Sequence, residues 1–266
     1  MEKRFEFGKN WQKFLKTLNT NKIKNAQDSL KQLFNIENFN DKTFLDIGSG
    51  SGLFSLSACK LGADEIFSFD YDEYSVESTK YLKKTYCKDA NWEITRGDIL
   101  SEDFLKNLKK YDFVYSWGVL HHTGNMYKAL ENTSRLVKDN GYLCVAIYNT
   151  QIQTPIWTFI KKTYVNSPSF IKVIMNIVFT IYFGMGLFLF DLIRFKNPFS
   201  RYKNAPRGMS LYTDVVDWIG GYPFETAKPE EIFKFFKKRG FVLENLVTVG
   251  GKMGCNEFVF KKVGHK

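Results

Sequence analysis

The chain has 266 residues, 44% of them hydrophobic and 25% charged, which excludes a wholly disordered polypeptide and suits one large domain or one domain carrying an elaborate insertion. Lys and Arg outnumber Asp and Glu by 38 to 28, but the excess is spread: nine basic against five acidic residues over 1–42, and eight against three over 150–224. Anionic small molecules or a membrane surface therefore fit as partners, and a nucleic-acid-binding arm does not. Cys59, Cys87, Cys144 and Cys255 stand far apart without CxxC spacing, and the histidines are His121, His122 and His265. Neither a disulfide framework nor a metal site is expected, and the N-terminus lacks a signal-peptide apolar region, so a cytoplasmic protein is expected. Aromatic residues reach 17%; the plain reading is a Phe-rich core, the sharper one an aromatic-lined pocket.

In chain order, residues 1–42 form a helical segment, with Phe7, Trp11, Phe14, Leu15 and Leu18 recurring at three- and four-residue steps, followed by Ile23, Leu30, Leu33 and Phe34. The text then changes to short apolar runs alternating with helical segments. Strands are expected at Thr43–Ile47, Glu65–Phe69, Trp92–Thr95, Phe113–Trp117 and Tyr142–Tyr148, and helices at 53–61, 73–86, 101–109 and 126–138. Such alternation predicts an α/β fold, a doubly wound Rossmann-like parallel sheet covered by helices. The pattern stops after Tyr148 and resumes with a helix from Pro229 and two apolar segments, Phe241–Val249 and Phe258–Val263, which read as an antiparallel pair closing the sheet. Residues 43–149 and 226–266 are thus one core, and 150–225 a mainly helical cap inserted after strand 5. Ligands in such sheets sit at the carboxyl ends of the strands, so the cap should lie over the site.

The first strand runs through Asp46 into Gly48-Ser49-Gly50-Ser51-Gly52, where backbone must pass close to a ligand. The dinucleotide fingerprint fails, because Leu53 and Ser55 occupy the two possible third-glycine positions. Two acids complete the pattern. Asp70, before Tyr71, ends the second strand, where a carboxylate can accept from both ribose hydroxyls; Asp98, before Ile99, follows the third, where it can accept from an adenine amine. An adenosine-bearing cofactor is expected.

These residues, with Ser116-Trp117-Gly118-Val119-Leu120-His121-His122, resemble the class I S-adenosylmethionine-dependent methyltransferases. The resemblance covers about 43–149 and 226–266. It implies a seven-stranded sheet with an antiparallel last strand, S-adenosylmethionine as cofactor and S-adenosylhomocysteine as product. By the same resemblance Asp70 would hold the ribose, Asp98 the adenine amine, and Gly48 and Gly50 would flank the methionine portion. Asp46, Ser49, Gly52, Tyr71, Ile99 and Trp117 complete the expected cofactor set.

A histidine of ordinary pKa can serve as general base, so His121 or His122, after the fourth strand, is the candidate catalytic residue; the alternative is a structural pair. Asp214 and Glu257 are held in reserve. The strand-4 ending Ser-Trp-Gly-Val lacks the Asn-Pro-Pro-Tyr motif of base methylation.

Within the cap, Val173–Phe190 is eighteen residues without a charge, diluted by Asn176, Thr180, Gly184 and Gly186. It is expected to be a buried cap or homo-oligomer helix rather than a membrane span, with peripheral contact at the inner membrane face as a further reading. Arg194, Lys196, Arg201, Lys203 and Arg207 follow with no acid between Leu192 and Thr213, as either a solvated loop or a phosphate clamp. Arg207, Asp214, Trp218, Tyr222, Asn256 and Glu257 resemble a subgroup linked to surface-polysaccharide synthesis. That implies O-methylation of a sugar hydroxyl on a nucleotide-linked or phosphorylated saccharide. The alternatives are a lipid or quinone acceptor, or a cofactor-binding relative without activity.

Overall fold

The computed structural model describes residues 7–195, 211–251 and 254–264. Two helices, α1 (Gly8–Leu15) and α2 (Thr20–Phe34), precede an alternation of β1 (Thr43–Ile47), α3 (Leu53–Lys60), β2 (Glu65–Asp70), α4 (Glu73–Tyr86), β3 (Trp92–Arg96), α5 (Glu102–Leu105), β4 (Tyr111–Trp117), α6 (Met126–Arg135) and β5 (Val137–Tyr148). Then come α7 (Thr154–Asn166), α8 (Ser169–Ile193), α9 (Leu211–Gly220), α10 (Pro229–Lys237), β6 (Phe241–Val247) and β7 (Cys255–Lys262). The seven strands form one sheet in the order β3-β2-β1-β4-β5-β7-β6. β1 pairs in parallel with β2 and β4, β4 with β5, and β7 runs antiparallel between β5 and β6.

Local chemistry starts most of these helices. The side chains of Asn19, Asp72, Ser101 and Asn125 each accept from a backbone amide in the first turn of α2, α4, α5 and α6. The sheet is sandwiched because its strands alternate two apolar sets. Leu45, Ile47, Phe67, Val114 and Val145 pack with α6 and α10, while Phe44, Ile66, Phe113, Tyr115 and Cys144 pack with α2, α3 and α4.

Three expectations are corrected. The helix expected at 126–138 ends at Arg135, because the chain already pairs as β5 at Val137, opposite Tyr111. A register shift between Tyr111 and Phe113 accommodates this start, with Asn140 at φ 62° and Gly141 where a Cβ would meet carbonyl oxygens of Asp112 and Lys138 at 2.9 Å. Cys59 and Cys87 form a disulfide; their separation of 28 residues hid that the end of α3 packs against the end of α4. Finally, α8 is not a buried cap helix: of its residues only Asn176 and Asp191 are buried.

Phe39, fully buried after α2, touches the rings of Phe34, Phe44 and Phe113 at centroid distances of 6.2, 5.3 and 4.8 Å and fastens the N-terminal helices to the sheet. Phe39→Ala should cost roughly 3–5 kcal/mol, read as a shifted midpoint in chemical denaturation. An unchanged midpoint would mean that the Phe39 ring does not help to hold α2 on the sheet.

Candidate functional site

Because β1, β2, β4 and β5 run parallel, their carboxyl ends bring four pieces together: the glycine turn after Ile47, Asp70, the segment after Trp117, and Tyr148. The turn is built on positive φ at Gly48 (75°), Gly50 (56°) and Gly52 (80°). A Cβ on Gly48 would meet Val119 at 2.4 Å, and one on Gly52 would meet the Thr79 backbone at 2.8 Å. Only glycine satisfies both the dihedrals and the approach. The Gly48 and Ser49 amides donate to the Phe69 carbonyl, and Ser49 Oγ lies 3.0 Å from Thr79 Oγ1.

Asp70 accepts from the Gly50 amide at 2.9 Å through one oxygen and from the Asp72 amide at 2.9 Å through the other. Burial pushes its pKa up to about 6, and the nearby Asp72 charge adds to this, while the backbone amides oppose it. Asp46 is differently placed from a residue meeting a ligand in solvent. It is 2% exposed, and its carboxylate accepts from Ser55 Oγ at 2.5 Å; Ser55 Oγ lies 2.8 Å from Ser68 Oγ, to which Trp92 Nε1 donates at 2.8 Å. Burial carries its pKa to about 7, Asp70's charge also raising it and the Ser55 bonds lowering it. This chain of polar groups fixes the start of α3 relative to β1 and β2.

Asp98 sits in the turn after β3 and accepts from the Leu100 amide at 2.9 Å; neighbouring Ile99 is buried, and Asn132 donates to its carbonyl. Tyr71 is exposed beside Arg96, which donates to its carbonyl. Trp117, half-buried, packs with the α2–α4 layer. Gly48, Gly50, Asp70, Tyr71 and Asp98 thus share one end of the sheet, and the glycine turn is a cradle that a side chain would fill. These residues fit an adenosyl cofactor.

His121 and His122 lie in a single short turn, Leu120–His122, beneath the cap. His121 is fully buried, with Nδ1 3.4 Å from the Tyr148 amide and Nε2 without a partner. His122 Nδ1 lies 2.7 Å from the Pro223 carbonyl; a carbonyl only accepts, so Nδ1 carries the proton and Nε2 presents its lone pair in the neutral ring. Burial drives both pKa values down, His122's to about 3, with the Pro223 bond raising it and Lys161 lowering it further; His121 is also lowered by His122. Neither ring has the ordinary pKa on which the sequence argument relied.

Three contributors escaped the sequence reading. Tyr148 contacts His121 (4.1 Å), Trp218 (5.5 Å) and Phe224 (5.2 Å) between ring centroids. Lys161 is fully buried, donates to the Trp218 carbonyl, and places its ammonium 4.1 Å from the Trp218 ring and 4.6 Å from Phe224; burial lowers its pKa to about 7 despite Asp217. Its signal, the first of two adjacent lysines in α7, is indistinguishable in sequence from that of its exposed neighbour Lys162. The third is α1, which closes the mouth. Phe7 packs 5.2 Å from the His122 ring, the Gly8 amide donates to Asp72, and Asn10 donates to Asp217 on α9. Trp11 covers Gly50, where a Cβ would meet the indole at 3.0 Å.

The expected acceptor residues divide. Trp218 and Tyr222, half-buried, belong to the cap cluster with Trp157, Phe179 and Phe183. Asn256 is 1% exposed and holds backbone and Asn149 together, accepting from the Val249 amide and donating to Asn149 Oδ1. Asp214 is exposed in the first turn of α9, and Glu257 lies in β7 opposite Ala146. Lys196, Arg201, Lys203 and Arg207 lie outside the described residues.

If Asp70 binds ribose hydroxyls as an acceptor, its ionised form is required. Affinity for S-adenosylhomocysteine should therefore be level above about pH 7 and fall as pH drops through about 6, in a calorimetric titration series. Asp70→Asn should bind more weakly and lose this pH dependence. An unchanged affinity would remove Asp70 from the site.

Residues 15–167 match the model of a methyltransferase-domain family. Over 121 residues the chain is 26% identical to the ubiquinone biosynthesis O-methyltransferase of Pelagibacter ubique, covering 46% of this chain and 48% of that one. The chain spans about half or less of the length of the curated relatives it matches. Among solved structures, a magnesium protoporphyrin IX methyltransferase from Synechocystis with S-adenosylhomocysteine bound superposes with a TM-score of 0.53 at 13% identity, over 90% of this chain and 83% of that one. A methyltransferase from Aquifex aeolicus gives 0.52 at 14%, over 95% and 98%. With a family match over more than half of the chain and a glycine cradle flanked by Asp70 and Asp98, this protein belongs to the class I S-adenosylmethionine-dependent methyltransferases.

Proposed function

We propose that the chain is an O-methyltransferase whose acceptor is a small aromatic, phenol-type molecule held under the cap. One observation carries this reading. The His121–His122 turn is roofed by Tyr148, Trp218 and Phe224, and two polar atoms in that apolar cluster, His121 Nε2 and Trp218 Nε1, are buried without partners. An aromatic acceptor bearing one or two oxygens would stack on such rings and satisfy such atoms.

When bound, the cofactor supplies an electrophilic methyl group. The chain's own residues then have three tasks. Asp70 and Asp98 hold the adenosyl portion and the glycine turn the methionine portion; the aromatic cluster orients the acceptor and excludes water; His122 Nε2, its lone pair oriented by the Nδ1 bond to Pro223, takes the acceptor proton. A phenol, with a pKa near 10, gives up its proton far more readily than a sugar hydroxyl. That difference favours it over a saccharide in a site whose imidazoles are weak bases. The kinship with a ubiquinone biosynthesis O-methyltransferase supports the same acceptor class. The saccharide reading is the second. What supports it is the stacking faces of Trp218 and Tyr222, whereas Asn256 is already engaged within the β-hairpin.

His122→Ala should lower the methyl-transfer rate by roughly 10²–10⁴-fold with little change in S-adenosylhomocysteine affinity. The acceptor class is tested by incubating the enzyme with cofactor and two panels, alkyl-substituted catechols and nucleotide sugars, and following the mass gain of one methylene. Methylation confined to the nucleotide sugars would overturn the phenol reading. Full activity in His122→Ala would overturn the proposed base.

A further inference from the structure

Helix α8 is apolar nearly all round: Met175, Phe179 and Phe183 pack into the cap cluster, and its outward face is apolar as well. Its outward face carries Phe170, Val173, Ile174, Ile177, Val178, Ile181, Tyr182, Met185 and Leu189, all at least half exposed, at the three- and four-residue spacing of one stripe. Its polar residues face the protein. Asn176 is 7% exposed and donates to the Tyr212 hydroxyl; Thr180 Oγ1 is buried without a partner; Asp191 is 3% exposed. Water would select the opposite arrangement, so the outward face is built for an apolar phase. At 25 residues the helix runs about 37 Å. Ile156 and Phe159 of α7, with Ile152 just before it, add further exposed apolar surface.

We propose that α8 lies in the plane of an anionic membrane surface and anchors the cap to it. Two observations select the bilayer surface as the occupant. The inward face of α8 packs on α7 and α9 and carries Asn176 and Asp191, which places the helix along the domain rather than across a membrane. Charge complements headgroups: Lys162 is exposed on α7, Lys172 lies over the Tyr164 ring and Arg194 over Phe190, and the sequence after α8 adds Lys196, Arg201, Lys203 and Arg207 with no acid before Asp214. Lys172 within the helix and Arg194 at its end suit phosphate headgroups, with their stems along the acyl boundary. The inference goes beyond the acceptor proposal and stands or falls separately from it.

The test is co-sedimentation of the full chain with phosphatidylcholine vesicles, with and without phosphatidylglycerol. Binding is expected to be stronger on the anionic vesicles and weaker at high salt. The double substitution Ile177→Glu with Ile181→Glu should lower partitioning by about tenfold or more, while S-adenosylhomocysteine affinity stays unchanged, showing the domain folded and its cofactor site intact. Lys172→Ala with Arg194→Ala should reduce the preference for phosphatidylglycerol and spare the residual binding. Absence of wild-type binding to either vesicle would overturn the proposal. So would a lipid-free dimer that the double glutamate variant dissociates and that vesicles fail to compete, since the stripe would then be covered by a second copy.

Discussion

The structure hinges on a steric constraint at one turn. After β1 the backbone passes through three glycines of positive φ, and the space a side chain would take at each belongs to a different neighbour: Val119 after β4, Trp11 of α1, and Thr79 of α4. The turn is therefore the point at which the first strand, the fourth, the N-terminal helix and the second crossover helix approach without intervening side chains. The Gly50 amide donates to Asp70 and the Gly48 amide to the Phe69 carbonyl, so the same close approach sets where the second strand ends. A larger residue in the turn would separate the cradle from the acid and from the histidine segment together.

Around that turn burial governs charge. Asp46 and Asp70 are raised toward 7 and 6, His122 is lowered to about 3 and Lys161 to about 7, and in each case desolvation is the leading cause. Each shift favours the neutral form of its group. A site so depleted of water strengthens whatever polar interactions a ligand completes inside it. It also explains the investment in satisfied partners: Asp46 is held by Ser55, and His122 by Pro223.

The cap uses its helices on both sides. Trp157, Phe179, Phe183 and Trp218 form a small second core, joined to Tyr164, Val165, Val215 and Ile219, while the opposite side of α8 is apolar and exposed. The 221–225 segment locks this cap to the histidine turn: the Glu225 amide donates to the His121 carbonyl, and its carboxylate accepts from the Met126 amide at the start of α6. The proposed attachment surface on α8 and the proposed acceptor site beside α9 therefore belong to one cap, joined through the packing of α8 on α9.

The sequence by itself determined the alternating architecture, the glycine turn, Asp70 and Asp98, because each is a local signal: strand period, capping residues, and residue types tied to a backbone conformation. It placed most strand boundaries within one or two residues, and missed the start of β5 because a bulge against Tyr111 depends on the partner strand. Only the tertiary structure decided what required distant segments to meet. It joined Cys59 to Cys87, laid Phe7 and Trp11 over the site, buried Lys161 among rings, and engaged Asn256 within the hairpin. It also decided which way α8 faces. An apolar helix reads alike in sequence whether its stripe meets a core or the outside, since hydrophobic periodicity fixes the angle between side chains and not the phase they are turned toward.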